Sequence, residues 1–262
     1  MAQDLFPGVA KDYTRYRGEY PEDVIRKIVA ALHLSGGDRL LDIGCGDGRS
    51  TFPFAKYFKE IVAADISPEM IEAAKKRAED LGIRNITWIT SRAEGLDERL
   101  GRFKCVSFAQ ALHWLDAEKV LSLSYKLLTE DGAVLILSGN SIWRYAPTAW
   151  ERKVIEIIKK YLGPERRTTQ GKFKAPEKPF ETYLQEAGFK RIKHFDYVFP
   201  SVVKSAGDII AEQFTTSYAA RSLFGDRLQN FEDELKAELL KIHPDNRFTT
   251  EHKGTVTLAF KE

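Results

Sequence analysis

The chain has 262 residues, 43% apolar and 30% charged, with a net charge of +2 at neutral pH. That length suits one large domain or one domain with a cap, and the composition excludes disorder, collagen or coiled coil as the main state. The longest uncharged stretches, Gly132–Trp143 and Cys105–Leu115, fall well short of the roughly 20 apolar residues a membrane span needs. Met1-Ala2-Gln3-Asp4-Leu5 has no basic or apolar region, so no secretory signal is expected. Cys45 and Cys105 are the only cysteines. Two make neither a disulfide framework nor a zinc site, and they point to a reducing, cytoplasmic setting. Charge is uneven, because residues 151–193 carry 12 Lys and Arg against 6 Asp and Glu. That surplus could attract an anionic substrate or nucleic acid, or be a solvated surface.

In chain order, Pro21–Leu34 opens on proline and two acids and has apolar residues at helical spacing. Arg39–Ile43 is an apolar run ending in glycines and reads as a buried strand. Ser50–Phe58 reads as a helix with Pro53 near its first turn. A strand is expected over Ile61–Ala64, a helix over Pro68–Leu81 stopped by Gly82, and strands over Asn85–Ile89 and Cys105–Ala109. A helix over Asp116–Leu128 and a strand over Ala133–Leu137 follow. Strands alternating with helices imply crossover connections and a parallel sheet. Beyond Leu137 the expectations are a helix over Trp150–Leu162, a long loop over Gly163–Lys178 and a helix over Phe180–Ala187. Then come a strand over Ile192–Phe199, helices over Asp208–Leu223 and Arg227–Ile242, and a last strand over Thr255–Phe260. The total is seven strands. The extra helices are expected to form a partial cap over the sheet's carboxyl edge, where ligands bind in open α/β sheets.

The informative segment is Leu40-Leu41-Asp42-Ile43-Gly44-Cys45-Gly46-Asp47-Gly48. Glycines let a backbone turn sharply and let a ligand approach without an intervening Cβ. The dinucleotide fingerprint wants Gly-x-Gly-x-x-Gly, but its third place is held by Arg49, and a glycine comes one residue early at Gly48. Asp42 would repel phosphates and suits an ammonium group. Both points disfavour a nicotinamide dehydrogenase. Asp65 ends the second strand, and a carboxylate there can accept from the vicinal hydroxyls of a ribose or close a surface turn.

These residues resemble the class I S-adenosylmethionine-dependent methyltransferases. The likeness rests on Leu41–Gly48, Ala64-Asp65-Ile66-Ser67-Pro68-Glu69-Met70-Ile71, Ser91-Arg92-Ala93-Glu94-Gly95-Leu96 and Ala109-Gln110-Ala111-Leu112-His113-Trp114, covering about residues 5–140. Together with Tyr13, Tyr16, Arg17, Tyr20 and Pro21, the last of these is similar to a subgroup that includes trans-aconitate methyltransferase-like proteins. The resemblance implies a Rossmann-like α/β fold: a seven-stranded, mostly parallel sheet, helices on both faces, the last strand antiparallel, and a small helical cap. Residues 1–140 would be a lid plus the cofactor core, and residues 141–262 the rest of the same sheet with a substrate cap.

It also implies roles. Gly44, Gly46 and Gly48 would line the methionine and ribose parts of S-adenosyl-L-methionine. Asp42 would receive the ammonium, Asp65 the ribose hydroxyls, and Ile66 would pack on the adenine. Ala93 would offer its backbone N–H to the adenine, and Gln110 would sit beside the methionine part. Where the family often has an acid before the Ala93 position, this chain has Arg92, which cannot accept a hydrogen bond; Glu94 or solvent would replace it.

Tyr13 would face the cofactor, and Arg17 would pair with a carboxylate, either the methionine end of the cofactor or an acidic acceptor. Tyr16, Tyr20, Trp114 and Trp143 would wall the acceptor pocket, with residues 6–20 folding over as a lid hinged at Gly8 or Gly18. His113 is the candidate general base for an alcohol, phenol or amine acceptor; a carboxylate acceptor needs none. Histidines 33, 194, 243 and 252 have no paired spacing, so no metal is expected. The resulting expectation is a cytoplasmic methyltransferase of small molecules, a carboxylic acid being one candidate acceptor, with no membrane or nucleic-acid partner. The alternatives are an RNA or protein methyltransferase and a non-catalytic S-adenosylmethionine-binding regulator.

Overall fold

The computed structural model describes residues 10–139, 141–143, 146–169 and 171–262. Met1–Leu5, Gly8 and the start of the expected lid lie outside the described residues. Eight α-helices are present among them. Helix α1 covers Ala10–Tyr16, in the segment ahead of the first expected helix, and α2 covers Glu22–Leu32. Strand β1 is Arg39–Ile43, β2 Glu60–Asp65, β3 Ile86–Thr90, β4 Phe103–Ala109 and β5 Leu128–Gly139. Helix α3 (Pro68–Asp80) begins on a Ser67 cap, and α4 (Ala117–Leu127) begins on an Asp116 cap whose carboxylate accepts from the Lys119 amide. Such caps satisfy amides that have no partner inside the helix.

The second half adds α5 (Ala149–Leu162), a ribbon of β6 (Arg167–Thr168) with β7 (Gly171–Lys172), and α6 (Phe180–Glu186). Strand β8 (Arg191–Val198), β9 (Val202–Lys204), α7 (Ala206–Gln213), α8 (Leu228–Ile242), β10 (Phe248–Thr250) and β11 (Lys253–Phe260) complete the chain. The main sheet has seven strands in the order β3-β2-β1-β4-β5-β11-β8. The strands from β3 to β5 pair in parallel, and β11 runs antiparallel to both β5 and β8. The strand order therefore reverses between β1 and β4, the switch point where α/β sheets open a crevice.

Strand side chains alternate between two cores. Leu41, Ile43, Val134 and Ile136 face a core shared with α4 and α6, whereas Leu40, Leu135, Leu137, Val256 and Leu258 face one shared with α2. The pairing of β4 with β5 shifts register between Phe103, opposite Leu128, and Cys105, opposite Ala133, and Phe103 shares the first core with Val106 and Phe108. A third core belongs to the inserted helices, with Trp150, Ile158, Phe214, Phe224, Phe231 and Leu235 packed together.

Two expected helices are corrected. Ser50–Phe58 is a run of turns with a 3-10 segment over Phe52–Phe54. Pro53 has no N–H to give to the preceding turn, and the amides of Thr51, Phe54, Ala55 and Tyr57 bond three residues back. Asp208–Leu223 is helical only to Gln213. Beyond it the Thr215 and Thr216 hydroxyls donate to the carbonyls of Glu212 and Gln213 at 2.7 and 2.6 Å, competing with helix continuation. No helix among the described residues is long and apolar enough to cross a membrane.

Candidate functional site

The turn after β1 continues the sheet before leaving it, since the Gly44 and Cys45 amides both donate to the Ala64 carbonyl, at 2.8 and 3.2 Å. At Gly44 (φ +74°) a Cβ would lie 2.5 Å from the Ala111 Cβ, and at Gly48 (φ +83°) it would lie 2.4 Å from the Phe52 ring. Close packing therefore requires both glycines. Gly46 also has positive φ, but nothing of the protein lies within 4 Å of where its Cβ would be. Bare backbone meets open space there. Beside it, Asp65 at the end of β2 accepts the Gly46 amide on Oδ2 and the Ser67 amide on Oδ1, each at 2.9 Å.

Asp42 points inward and is fully buried. Thr51, Ser107 and Ser50 hydroxyls donate to it at 2.6, 2.7 and 3.2 Å. Burial raises its pKa, against the lowering effect of those three bonds. Its carboxylate is thus the buried anchor of a hydroxyl shell.

Asp47 and Arg49 are joined to their neighbours by contacts that the sequence alone does not show. The carboxylate of Asp47 is buried between Arg49 Nη2 at 2.6 Å and Arg77 Nη1 at 2.7 Å. Burial alone would raise the pKa of Asp47, but the Arg49 hydrogen bonds and the charges of Arg49 and Arg77 outweigh it and the pKa falls. Arg49 also donates to the carbonyls of Tyr13 (2.9 Å) and Gly18 (3.3 Å). The departure from the third-glycine place was the available signal.

On the other side of the crevice, Gln110 adopts left-handed backbone (φ +54°) and donates its amide to the Leu137 carbonyl at 2.9 Å. Its side chain lies over Gly139, where a Cβ would meet Nε2 at 2.4 Å. His113 and Trp114 occupy a short 3-10 turn, with their rings 4.7 Å apart. His113 helps wall a cleft of about 280 Å³ with Asp116, Glu118, Lys174 and Tyr183, which no glycine-turn residue lines. Trp114 packs on Phe173, and the Arg166 guanidinium lies 4.2 to 5.5 Å from the ring centres of Phe173, Tyr218 and Trp114. Trp143 packs on Tyr218 at 5.2 Å.

Arg17 donates to the Thr215 hydroxyl at 2.9 Å and to its carbonyl at 3.4 Å. Tyr13 lies under both Arg17 and Arg49. Tyr16 is half-buried beneath Arg15. Tyr20 is a core residue packed on Tyr197 and Phe199. Ile66 is half-buried beyond β2, and Ala93 is buried at the head of a 3-10 turn. Glu94 pairs with Arg92 at 3.6 Å, so the acid expected to stand in for the family's acceptor faces the cation that holds that acceptor's place.

The basic stretch is answered by acids. Lys153 pairs with Glu156, Lys160 with Glu234, Lys172 with Glu165, Lys178 with Glu186 and Arg191 with Glu262. Among the described residues, no group of three or more His, Cys, Asp or Glu side chains is placed to hold a metal.

Residues 40–132 match the sequence profile of a methyltransferase domain family. A Dictyostelium discoideum chain named as a methyltransferase is 30% identical over 175 residues, which are 63% of this chain and 62% of that one. The ubiquinone biosynthesis O-methyltransferase of Cereibacter sphaeroides is 27% identical over 190 residues, 71% of this chain and 74% of its own. The chain spans about 42 to 62% of the length of the Dictyostelium relative, a yeast S-adenosylmethionine-dependent methyltransferase relative and a Bacillus subtilis relative. In fold, it superposes on Bacillus subtilis YcgJ with a TM-score of 0.57 at 14% identity, covering 92% of this chain and 99% of that one. A Thiobacillus denitrificans S-adenosylmethionine-dependent methyltransferase solved with S-adenosyl-L-homocysteine gives 0.52 at 16% identity, covering 98% and 99%.

Proposed function

We propose that the chain is a class I S-adenosylmethionine-dependent methyltransferase and that it methylates a small molecule, with a carboxylic acid as the favoured acceptor class. The observation that carries the cofactor part is Asp65 holding the Gly46 amide beside backbone that no Cβ covers. A carboxylate at a strand end is suited to the two hydroxyls of a ribose. Gly44, Gly46 and Gly48 would line its path, with Ile66 and Ala93 against the adenine and Gln110 beside the methionine part. Asp42 would act on the ammonium through the Ser50, Thr51 and Ser107 hydroxyls that cover it. When bound, S-adenosylmethionine supplies an activated methyl group; the protein's contribution is alignment and exclusion of water.

The acceptor part rests on Arg17 and Arg166. Both act on Tyr218, lowering its phenol pKa against the dominant effect of burial. Aromatic walls from Trp114, Trp143 and Tyr218 with guanidinium groups beside them suit a small anionic acceptor. An ionised carboxylate needs no proton removed, so His113 would serve as a base only for a hydroxyl or amine acceptor. Residues 10–20 and the helical insertion would close over the site as lid and substrate cap, with Tyr13 and Tyr16 on its inner wall. The narrower likeness to trans-aconitate methyltransferase-like proteins and a cytoplasmic location are parts of this same proposal.

An RNA or protein acceptor is disfavoured, because four of the eight lysines of the basic stretch, Lys153, Lys160, Lys172 and Lys178, are paired with carboxylates. A methyl-release assay over a metabolite panel tests the reading. Turnover with small carboxylic acids supports it. Turnover confined to RNA or protein overturns the acceptor class, and cofactor binding without any turnover would leave a regulator.

A further inference from the structure

A buried guanidinium ties the glycine turn to the segment ahead of α2. The Arg49 side chain is 7% exposed, its fork rests on the Asp47 carboxylate at 2.9 and 2.6 Å, and its outer N–H groups reach the carbonyls of Tyr13 and Gly18. The Tyr13 carbonyl also takes the Arg17 amide at 3.2 Å. Arg49 thus sits at the carboxyl end of α1, where a cation is favoured by the helix dipole. The same Asp47 is held by Arg77 of α3, whose other nitrogen reaches Glu19 at 2.7 Å. Two arginines therefore connect one carboxylate of the turn to both ends of the 13–19 segment.

Asp47 stands between Gly46 and Gly48, and the Gly46 amide is bonded to Asp65. Arg49 and Asp47 thus link α1 to the backbone on which the ribose would lie. The far side of α1 is fastened to the helical insertion, by Arg17 on Thr215 and by Asp12 facing Arg221 at 3.6 Å. The segment thus spans the crevice from cofactor side to acceptor side.

We infer that Arg49 is a positioning residue that clasps α1 onto the cofactor turn, so that opening of this clasp governs how fast the cofactor leaves. The inference rests on the glycine turn being the seat of S-adenosylmethionine. Lysine is the informative replacement. It keeps a cation for Asp47, which Arg77 also holds, but as a single-point donor it cannot reach the carboxylate and two carbonyls together.

The experiment uses the full chain with S-adenosylhomocysteine, measuring association and dissociation by stopped flow and hydrogen exchange of residues 13–20. In the wild type, ligand should slow exchange of these amides. Arg49→Lys should release ligand about tenfold faster with its association rate nearly unchanged, the usual partition of affinity changes, and ligand should no longer protect residues 13–20. Arg49→Gln should exceed it if it folds. Lys56→Gln, which removes an exposed pair with Glu22 and a cation over the Tyr57 ring, should behave as wild type. A wild type that binds, with Arg49→Lys releasing ligand at the same rate and keeping the protection, overturns the clasp alone. A wild type that does not bind overturns the cofactor reading and the clasp with it.

Discussion

Asp65 accepts the Gly46 amide at 2.9 Å, so the last residue of β2 fastens the turn that leaves β1. The carboxylate that would read the ribose is also the one that shapes the glycine turn. Asp65→Ala should therefore weaken S-adenosylhomocysteine binding through lost hydrogen bonds to a charged acceptor, each worth roughly 1.5–3 kcal/mol, and should loosen the turn as well. Calorimetry on the variant checks this, and wild-type affinity would refute the ribose assignment.

Gly48→Ala should destabilise the protein in either ligand state. Its φ of +83° is unfavourable for a side chain, and the new methyl would meet the Phe52 ring at 2.4 Å. Backbone strain of this kind costs on the order of 1–3 kcal/mol. Gly48→Ala with Phe52→Leu should recover the steric part and leave the backbone part, as read by thermal denaturation.

Asp42 and Asp47 should give opposite pH signatures. The pKa of Asp42 is raised by burial, so its favourable contribution lies below an ordinary carboxylate pKa of about 4 and is lost as pH rises through the folded value. Asp42→Asn should remove this pH dependence, at a cost of about 1–3 kcal/mol for a hydroxyl left facing an amide N–H in place of a carboxylate oxygen. The pKa of Asp47 is lowered, burial being outweighed by Arg49 and Arg77. Its contribution is present above about pH 4 and disappears as pH falls through the lower folded value. Asp47→Asn should cost about 3–5 kcal/mol at pH 7, the range for breaking a buried pair, and progressively less in acid. Denaturant unfolding at several pH values separates the two.

Much of this was legible in the residues. The apolar run Arg39–Ile43 is a strand to the residue, and the glycine turn and Asp65 marked the crevice. The Ser50–Phe58 helix failed because Pro53 reads as a tolerated first-turn proline, whereas the amides around it bond three residues back. The Asp208–Leu223 helix failed because hydroxyls that bond back to their own turn look like ordinary helix positions. The sequence assigns Asp47 no role, since its partner Arg77 lies 30 residues away and only the fold brings it near, and it marks Arg49 only as the occupant of the third-glycine place. The Arg166 aromatic surround was invisible for the same reason, drawing rings from three separate segments.

Nucleic acid should not bind tightly. Five cations of the basic stretch are paired with Glu156, Glu165, Glu186, Glu234 and Glu262, and single strands are usually held by stacking on aromatic platforms as well as by charge. Sub-micromolar RNA binding at physiological salt that charge reversal of Arg166 and Arg167 abolishes would contradict this.

Isothermal titration of the full chain with S-adenosylhomocysteine, and in parallel with NAD, tests the central claim most directly. The turn at Gly44, Gly46 and Gly48, closed by Asp65 and carrying Arg49 at the third-glycine place, predicts saturable one-to-one binding of S-adenosylhomocysteine and no heat from NAD. Saturable NAD binding with none from S-adenosylhomocysteine would contradict it.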